Sequence, residues 1–577
     1  MDNKPIARVF AEIADLLEIK GENAFKIRAY RGAAETIAGW PDAVSRLDEK
    51  QLRDLPGVGK DLARKIRELV ETGVCAFHQE LLQEFPPTLL DLLRLQGVGP
   101  RTVALLYSTL NIRSLDDLAA AAREGRLRAV RGMGEKKEAL ILKALEERRR
   151  DVGRHLLADT ATAAADLIAS LKAAAPDVDF VPVGSLRRGC ETCGDIDILA
   201  TPPPGHAGPA AIMEAFAAFP GAERILGQGD TKSSIRVSGG YQADLRLVPP
   251  ESRGAALQYF TGSKAHNIAL RDRAIQRGLR LNEYGLYRVD DEARVAGETE
   301  DGIYEALGLR YVEPDLRESR GEIEAAAENR LPRLVAQADL RGDLHMHTRE
   351  SDGRDDLVAM AGAARRLGHE YIAITEHSRS LAMANGLDER RTLEHAGRIR
   401  ALNGRIEGLT LLAGIECDIL PDGRLDLSED CLAQLDLVIA AVHTHFAMEE
   451  AQMTDRVLRA LDCRYVDILA HPTGRLLLKR EPYRLNMEQV TAAAARTGVA
   501  LEINCQVDRL DLNDTHARLA RERGVRLAIS TDAHAVGALA HQRWGIAVAR
   551  RAWAAPADVL NTRSLDDLRR ELRRNRG

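Results

Sequence analysis

From residue 340 onward, short apolar runs that end in His, Asp or Glu alternate with amphipathic helical stretches, and this alternation restricts the fold more than any other feature of the chain. The runs at 371–375, 410–414, 437–442, 466–470, 500–504 and 526–531 read as strands buried on both faces, as in a parallel sheet. Parallel neighbours need a crossover helix between them, so the repeat predicts a barrel-like β/α arrangement. Metal-ligand residue types stand at or just beyond the strand ends: His345, His347, Asp352, His377, Glu416, His443, His471, Asp532 and His534. Any one of them alone reads as a satisfied core residue. Together at one end of consecutive strands they cannot be core filling, because burying so many imidazoles and carboxylates without cations is costly. The same skew shows in composition, where 11 of the 15 histidines lie from residue 340 onward. Two or three ions would offset the cost, and nitrogen and oxygen ligands suit Mn²⁺, Zn²⁺ or Fe²⁺. A cage of this kind supports phosphoester hydrolysis. His445 stands outside the pattern.

A chain of 577 residues exceeds what one hydrophobic core serves, so several domains are expected. No apolar run reaches the roughly eighteen residues of a membrane span, and the start reads as an amphipathic helix with acidic residues, unlike a signal peptide. Cytoplasmic location is the expectation. Seven scattered cysteines fit reduced thiols, and the lone pair Cys190 and Cys193 lacks the second pair that a zinc site would need. A net charge of −6 argues against gripping nucleic acid by bulk charge, so any contact must be local. Residues 1–150 carry 26 Lys plus Arg against 23 Asp plus Glu, a difference of +3, which a solvated helix face explains equally well.

Residues 1–150 are dense in Leu, Ala, Glu and Arg at helical spacing, broken by glycine turns. Leu-Pro-Gly-Val-Gly-Lys at 55–60 and Leu-Gln-Gly-Val-Gly-Pro at 95–100 are near repeats, with a looser copy at 131–136. In a helix-hairpin-helix such glycines allow a tight turn whose amides face outward at the start of the next helix, which suits a phosphate. Gly57, Gly59 and Lys60, and Gly97, Gly99 and Arg101, are therefore candidates for holding a DNA backbone without reading bases.

Between about 155 and 312 the pattern turns to mixed helix and strand, with strands expected at 180–184, 195–200, 234–238 and 242–248. Asp195 and Asp197 stand two apart on one of these strands and project from the same face. Side by side they repel unless cations lie between them, and Asp244 on another strand completes a site for two divalent metals. Just upstream, Gly184, Ser185, Arg188 and Gly189 form a turn whose hydroxyl, guanidinium and backbone donors suit a triphosphate. An isolated Asp-x-Asp is usually a polar strand edge; next to this turn it describes nucleotidyl transfer.

This segment resembles the nucleotidyltransferase core of the family X DNA polymerases, and the likeness continues through Tyr259-Phe-Thr-Gly-Ser263, Asn267, Arg271 and Asn282-Glu-Tyr284. The resemblance implies that Asp195, Asp197 and Asp244 hold Mg²⁺ or Mn²⁺. It implies that Ser185 and Arg188 contact the triphosphate, with Gly262 in the nucleotide pocket. Tyr259 and Phe260 would face the incoming sugar, Asn267 the base edge and Arg271 the template side. Lys65 falls at the family's Schiff-base lysine for removing 5′-deoxyribose phosphate, with Tyr30 beside it. Asp61 and Gln242 depart from the pattern, each standing where a basic residue is usual, and Asp61 favours a backbone-contact role for Lys65.

The C-terminal motifs are similar in order to the polymerase and histidinol phosphatase (PHP) domain that follows the polymerase core in bacterial family X enzymes. The implied fold is multidomain α plus α/β: a helical helix-hairpin-helix domain over 1–150, a mixed α/β nucleotidyltransferase palm over 151–247 and a thumb over 248–313. A linker over 314–339 and a distorted β/α barrel over 340–577 complete it. The implied function is a monomeric repair polymerase that fills gapped or primed duplex DNA from deoxynucleoside triphosphates, in base excision or end-joining repair. To this the PHP domain would add 3′ to 5′ exonuclease, with abasic-site cleavage admitted. Two other readings stay open: a barrel acting on small phosphate esters, and a non-catalytic DNA-end binder.

Overall fold

A computed structural model describes residues 3–39, 44–93, 95, 98–130, 132–135, 137–139, 141–142, 145, 153–205 and 208–572. The chain divides into two compact units, Met1–Val152 and Gly153–Gly577.

The first unit carries helices and turns and, among the described residues, no strand. Asn3–Lys20 and Ala24–Gly39 pack through Phe10, Ile13, Leu17, Tyr30 and Ile37, all buried at helical spacing. Helix Lys60–Thr72 buries Leu62, Ala63, Ile66 and Leu69 and stops where Gly73 adopts φ +76°. Its N-cap is Gly59, and Gly57 takes φ +76° in the preceding turn, a conformation open to glycine at no steric cost. The second copy repeats the plan: Gly99 caps helix Pro100–Leu110, with Pro100 in the first turn. Val58 and Val98 are buried and pin each turn to the core.

The second unit begins with a five-stranded sheet, ordered Asp179–Pro182, Asp195–Thr201, Tyr241–Leu247, Lys232–Val237, Ala222–Gln228. Ile196, Ile198 and Ala200 pack beneath helices Leu157–Ala174 and Pro209–Ala217, so the alternation of the strand sends Asp195 and Asp197 to the other face. Four of these strands lie where the pattern places them within a few residues. Ala222–Gln228 was not expected, because as an exposed edge strand it carries no apolar alternation. Gly184, expected at a strand end, instead opens the short helix Gly184–Arg187.

Helices Arg253–Thr261 and Lys264–Gln276, an antiparallel meander Leu279–Asn282, Gly285–Arg288, Arg294–Ala296, and helix Glu300–Ala306 follow. The segment 314–339, expected as a linker, is built into this unit. Arg317 is fully buried, donating to Glu300 at 2.7 Å and to the Val312 carbonyl at 2.9 Å, and Glu322 is fully buried against His266 at 2.7 Å. Each buried charge has its partner, as it must. Leu316 and Ile323 share a core with Trp553 from near the C-terminus.

Seven parallel strands in sequence order then form a nearly closed barrel: Gly342–Asp343, Tyr371–His377, Thr410–Asp418, Leu437–Ala441, Ile468–Leu469, Ala500–Asn504 and Leu527–Ser530. Tyr371–His377, Leu437–Ala441 and Ala500–Asn504 are buried throughout, which accounts for their largely apolar character. Met346 bridges to Ala533, and Thr531 donates to Asp343, so the first and last strands approach each other.

Candidate active sites

In the sheet of the second unit, Asp197 lies directly opposite Asp244 on the neighbouring parallel strand, and Asp195 opposite Gln242. The three carboxylates thus share one edge of one face. Burial, reinforced by Asp195 and Asp244, pushes the Asp197 carboxyl up to about 7. Burial and then Asp244 also raise Asp195. Three carboxylates brought together on one face, two of them raised by burial and by their acidic neighbours, form a site that favours cations. Lys232 approaches Asp244 to 3.9 Å, and the Gln242 amide lies 3.4 Å from the same carboxylate.

Gly184 lies against this edge. It adopts φ +64°, and an added Cβ would fall 2.6 Å from Asp197 Oδ2, so no other residue fits the turn unchanged. Ser185 follows it on the short helix. Arg188 donates to the Thr261 carbonyl at 2.5 Å and to Glu318 at 3.0 Å. Gly189 differs from expectation: its amide is committed to the Leu186 carbonyl at 3.0 Å, and its Cα faces Ala547 of the barrel, which removes it from the free backbone donors. Tyr259 and Phe260 end helix Arg253–Thr261 with their rings edge-on at 5.2 Å, and Gly262 caps that helix beside Arg188. Asn267 is fixed at both ends of its amide, donating to the Tyr259 carbonyl at 2.7 Å and accepting from Gln258 at 2.8 Å. Arg271 lies one turn further along and is exposed.

In the first unit Gly59, Lys60, Gly99 and Arg101 are exposed at the helix starts, while Gly97 lies outside the described residues. Lys65 is ion-paired with Asp61 and sits over the rings of Phe77 at 5.1 Å and Tyr30 at 5.8 Å. Burial lowers its pKa, but Asp61 and Tyr30 outweigh burial, so the net shift is upward. Cys190 and Cys193 are not joined to each other.

In the barrel, all nine expected residues meet. Glu416 lies at the centre, with its carboxylate 2.7 Å from His377, 2.9 Å from His471, 3.3 Å from His443, 3.5 Å from His345 and 3.6 Å from His347. Asp532 reaches His347 at 3.1 Å, and Asp352 spans His534 at 3.3 Å and His377 at 3.4 Å. Ligand atoms of eight of the nine form three overlapping groups: His347, Asp352, His377 and His534; His345, His347 and Asp532; and His377, Glu416 and His443; His471 meets them through Glu416. Within these groups His347 Nδ1, Glu416 Oε2 and Asp532 Oδ1 are buried without a hydrogen-bond partner, which suits ligation by a cation. His347 is lowered to about 4 by burial and then by His377 and His534, which keeps its ring neutral. His377 is raised to about 10: burial opposes its charge, but Glu416 and Asp352 together outweigh burial. His471 at φ +28° and Asp532 at φ +51° take up left-handed backbone where the strands end, a strain typical of functional positions.

A second ring of buried acids was missed in the sequence. Glu502 accepts from His345 at 2.7 Å and from the His471 amide at 2.8 Å; Asp418 holds His443 at 2.7 Å; Glu376 accepts from the Thr348 amide at 3.0 Å and from Ser351, in the loop that carries Asp352. Such partners fix ring orientation. The available signal was a carboxylate inside an otherwise apolar strand, as in Ala-Leu-Glu-Ile-Asn at 500–504.

Comparison with known proteins agrees with this layout. The chain matches the helix-hairpin-helix domain over 1–75, the SAM-like helix-hairpin-helix tandem over 89–147, the DNA polymerase beta palm over 158–218 and thumb over 256–318, and the PHP domain over 343–506. It is 37% identical over 578 residues, the full length of both proteins, to the DNA polymerase/3′–5′ exonuclease PolX of Bacillus subtilis. It is also 31% identical over 204 residues to a probable phosphatase of Caldanaerobacter subterraneus, and 32% over 202 residues to one of a Shewanella species. Each of these covers 33% of the chain and 75% of the relative.

Proposed function

The chain belongs to the bacterial PolX family, family X DNA polymerases joined to a PHP domain with 3′–5′ exonuclease activity, and from that membership we propose how its residues divide the two reactions. The protein is a DNA polymerase with a metal-dependent 3′–5′ exonuclease; the full-length likeness goes to such an enzyme, whereas the phosphatase likeness spans a third of the chain. No helix among the described residues is long and apolar enough to cross a membrane.

The polymerase centre comprises Asp195, Asp197 and Asp244, which would hold two Mg²⁺ or Mn²⁺ ions. Ser185 and Arg188 receive the triphosphate. Tyr259 and Phe260 form the wall against the sugar, and Asn267, held rigid by Gln258 and the Tyr259 carbonyl, presents one edge to the base. The exonuclease centre comprises the nine barrel residues, which would hold two or three Mn²⁺, Zn²⁺ or Fe²⁺ ions. In both centres the divalent cations supply Lewis acidity toward phosphoryl oxygens and make the attacking hydroxyl a stronger nucleophile. Gly57, Gly59, Lys60, Gly99 and Arg101 hold the DNA backbone. The substrate is gapped or primed duplex DNA with deoxynucleoside triphosphates, the location is the cytoplasm and the active species is a monomer.

The observation that carries this division is the convergence of Asp197 with Asp244 in one cluster and of Glu416 with five imidazoles in another. A one-nucleotide-gap duplex labelled at the primer 5′ end tests it. With Mn²⁺ and the four triphosphates the primer should lengthen by template-directed addition, and without triphosphates it should shorten from its 3′ end. Phosphate release from small esters with no loss of primer nucleotides would count against it.

We also infer that the chain does not excise 5′-deoxyribose phosphate through Lys65. Schiff-base attack requires a neutral amine, whereas Asp61 keeps this one charged. Borohydride reduction in the presence of a 5′-deoxyribose phosphate substrate should trap no more adduct with the native chain than with Lys65→Ala; a Lys65-dependent adduct would reverse the assignment.

A further inference from the structure

The triphosphate turn does not stand alone on the sheet. Its rear is covered by the barrel, through helix Gln542–Arg551 and the loop after His471. An added Cβ on Gly189 would meet Ala547 Cβ at 3.1 Å, so the two surfaces are in close contact. Glu191, two residues on, is held by both terminal nitrogens of Arg475 at 3.0 and 2.6 Å.

At the centre of this contact lies a row of alternating charges. Arg188 donates from Nε to Glu318 Oε1 at 3.0 Å. Arg551 donates to the same oxygen at 2.8 Å, and to the Arg188 carbonyl at 3.0 Å. Its other terminal nitrogen reaches Asp514 at 2.9 Å, and Asp514 also pairs with Arg320 at 3.0 Å. Arg551 and Arg188 side chains are only 9% and 14% exposed, so water does little to screen the row.

One carboxylate therefore serves two guanidiniums. Arg188, Glu318 and Arg551 together carry a charge of +1. Arg188 uses its Nε on Glu318, one terminal N–H on the Thr261 carbonyl and one, weakly, on Cys190 Sγ at 3.8 Å, which leaves one N–H on each terminal nitrogen of its five-donor fork for a phosphate. Without Arg551, Glu318 would pair with Arg188 alone. The pair would then be neutral, and Arg188 would be held by an undivided carboxylate at the place where a triphosphate must compete for it.

We propose that Arg551, on a barrel helix, is a positioning residue for the polymerase: by sharing Glu318 it keeps the Arg188 guanidinium oriented and its charge available to the incoming triphosphate. The barrel is thus part of the nucleotide site as well as an exonuclease. This rests on the reading of Arg188 as a triphosphate contact, and the experiment separates the two claims.

Steady-state primer extension on gapped DNA is measured for the full chain and for Arg188→Ala, Arg551→Ala, Glu318→Gln and the double variant Arg551→Ala/Glu318→Gln. Exonuclease on single-stranded DNA and the unfolding temperature report on folding. Arg551→Ala should raise KM for the nucleotide by about tenfold with kcat within about twofold, the size of one lost charge-assisted contact. Exonuclease should be unchanged. The double variant should return KM toward that of the native chain, because removing the carboxylate charge frees Arg188 again; loss of structural support alone would not be rescued by a second substitution. Should Arg551→Ala not fold, Arg551→Lys, which keeps the charge without the fork, should show a smaller rise in KM that Glu318→Gln also relieves. If Arg188→Ala leaves KM unchanged, the triphosphate contact itself is wrong and the inference falls with it. If Arg188→Ala raises KM but Arg551→Ala does not, or if the double variant stays as poor as Arg551→Ala, the inference alone is overturned.

Discussion

Replacing Asp197 by alanine is expected to reduce primer extension by about a thousandfold or more while leaving exonuclease on single-stranded DNA within about twofold of the native rate. The magnitude follows from the size of the interaction: Lewis-acid stabilisation by a bound cation is worth several kcal/mol, and each 1.36 kcal/mol is about a factor of ten in rate. Asp197 faces Asp244 across the sheet and stands beside Asp195, and burial together with these two neighbours raises its carboxyl to about 7. Removing it leaves two carboxylates that no longer form a three-sided site. The substitution should not destabilise the sheet. A carboxyl held near neutrality by burial and two like charges is a strained group, and alanine relieves that strain. Gel assays of extension and of digestion, run on the same preparation, check both halves. Loss of both activities in a protein that unfolds at the native temperature would show that the two reactions share one centre, and the division proposed here would be wrong.

That outcome bears on how much a linear sequence discloses. Asp195 and Asp197 were legible because a strand alternates faces, so a spacing of two fixes a common direction before any fold is known. Asp244 was legible as a third acid because it falls on another expected strand, whereas its register opposite Asp197 is a property of the assembled sheet. The nine barrel ligands were legible because strand ends are where parallel β/α folds carry chemistry, and their number excluded ordinary burial. Glu376, Asp418 and Glu502 were not legible. Each is a carboxylate set among apolar neighbours in a strand, and only the assembled barrel shows that a histidine or a ligand-bearing loop lies next to it.

Two departures have the same physical origin. The segment 314–339 looked like a tether because it is charged and contains prolines, yet Arg317 and Glu322 are buried with partners distant in the sequence or contributed by neighbouring helices. Charge predicts exposure only when no partner is available, and partners are a matter of tertiary structure. Gly189 looked like a phosphate donor because it ends a glycine-bounded turn; its amide is spent inside the turn, and its open face accommodates a helix more than 350 residues further along the chain. The glycine is needed there, for packing and for φ +64°, and the sequence alone does not distinguish that need from ligand binding.

His347→Ala should give the reverse of Asp197→Ala: exonuclease reduced by at least about a hundredfold with primer extension retained. His347 is the sensitive position because it takes part in two of the three groups of converging ligand atoms, one with Asp352, His377 and His534 and the other with His345 and Asp532. Its ring is fully buried and held neutral, the state a metal ligand needs, so its removal takes away a ready donor without unpairing a charge. Of the residues around it, Asp532 loses its nearest imidazole at 3.1 Å, while Glu416 keeps four other histidine neighbours. The expected metal content therefore falls by part of the native complement and not to zero. Elemental analysis of the purified variant, read beside its rates, distinguishes the alternatives. Reduced metal with lost exonuclease and native extension fits a shared cation cage. Native metal with lost exonuclease would move His347 from holding ions to handling the substrate. Native exonuclease would place the reaction outside the barrel altogether, and the assignment of the nine residues would have to be withdrawn.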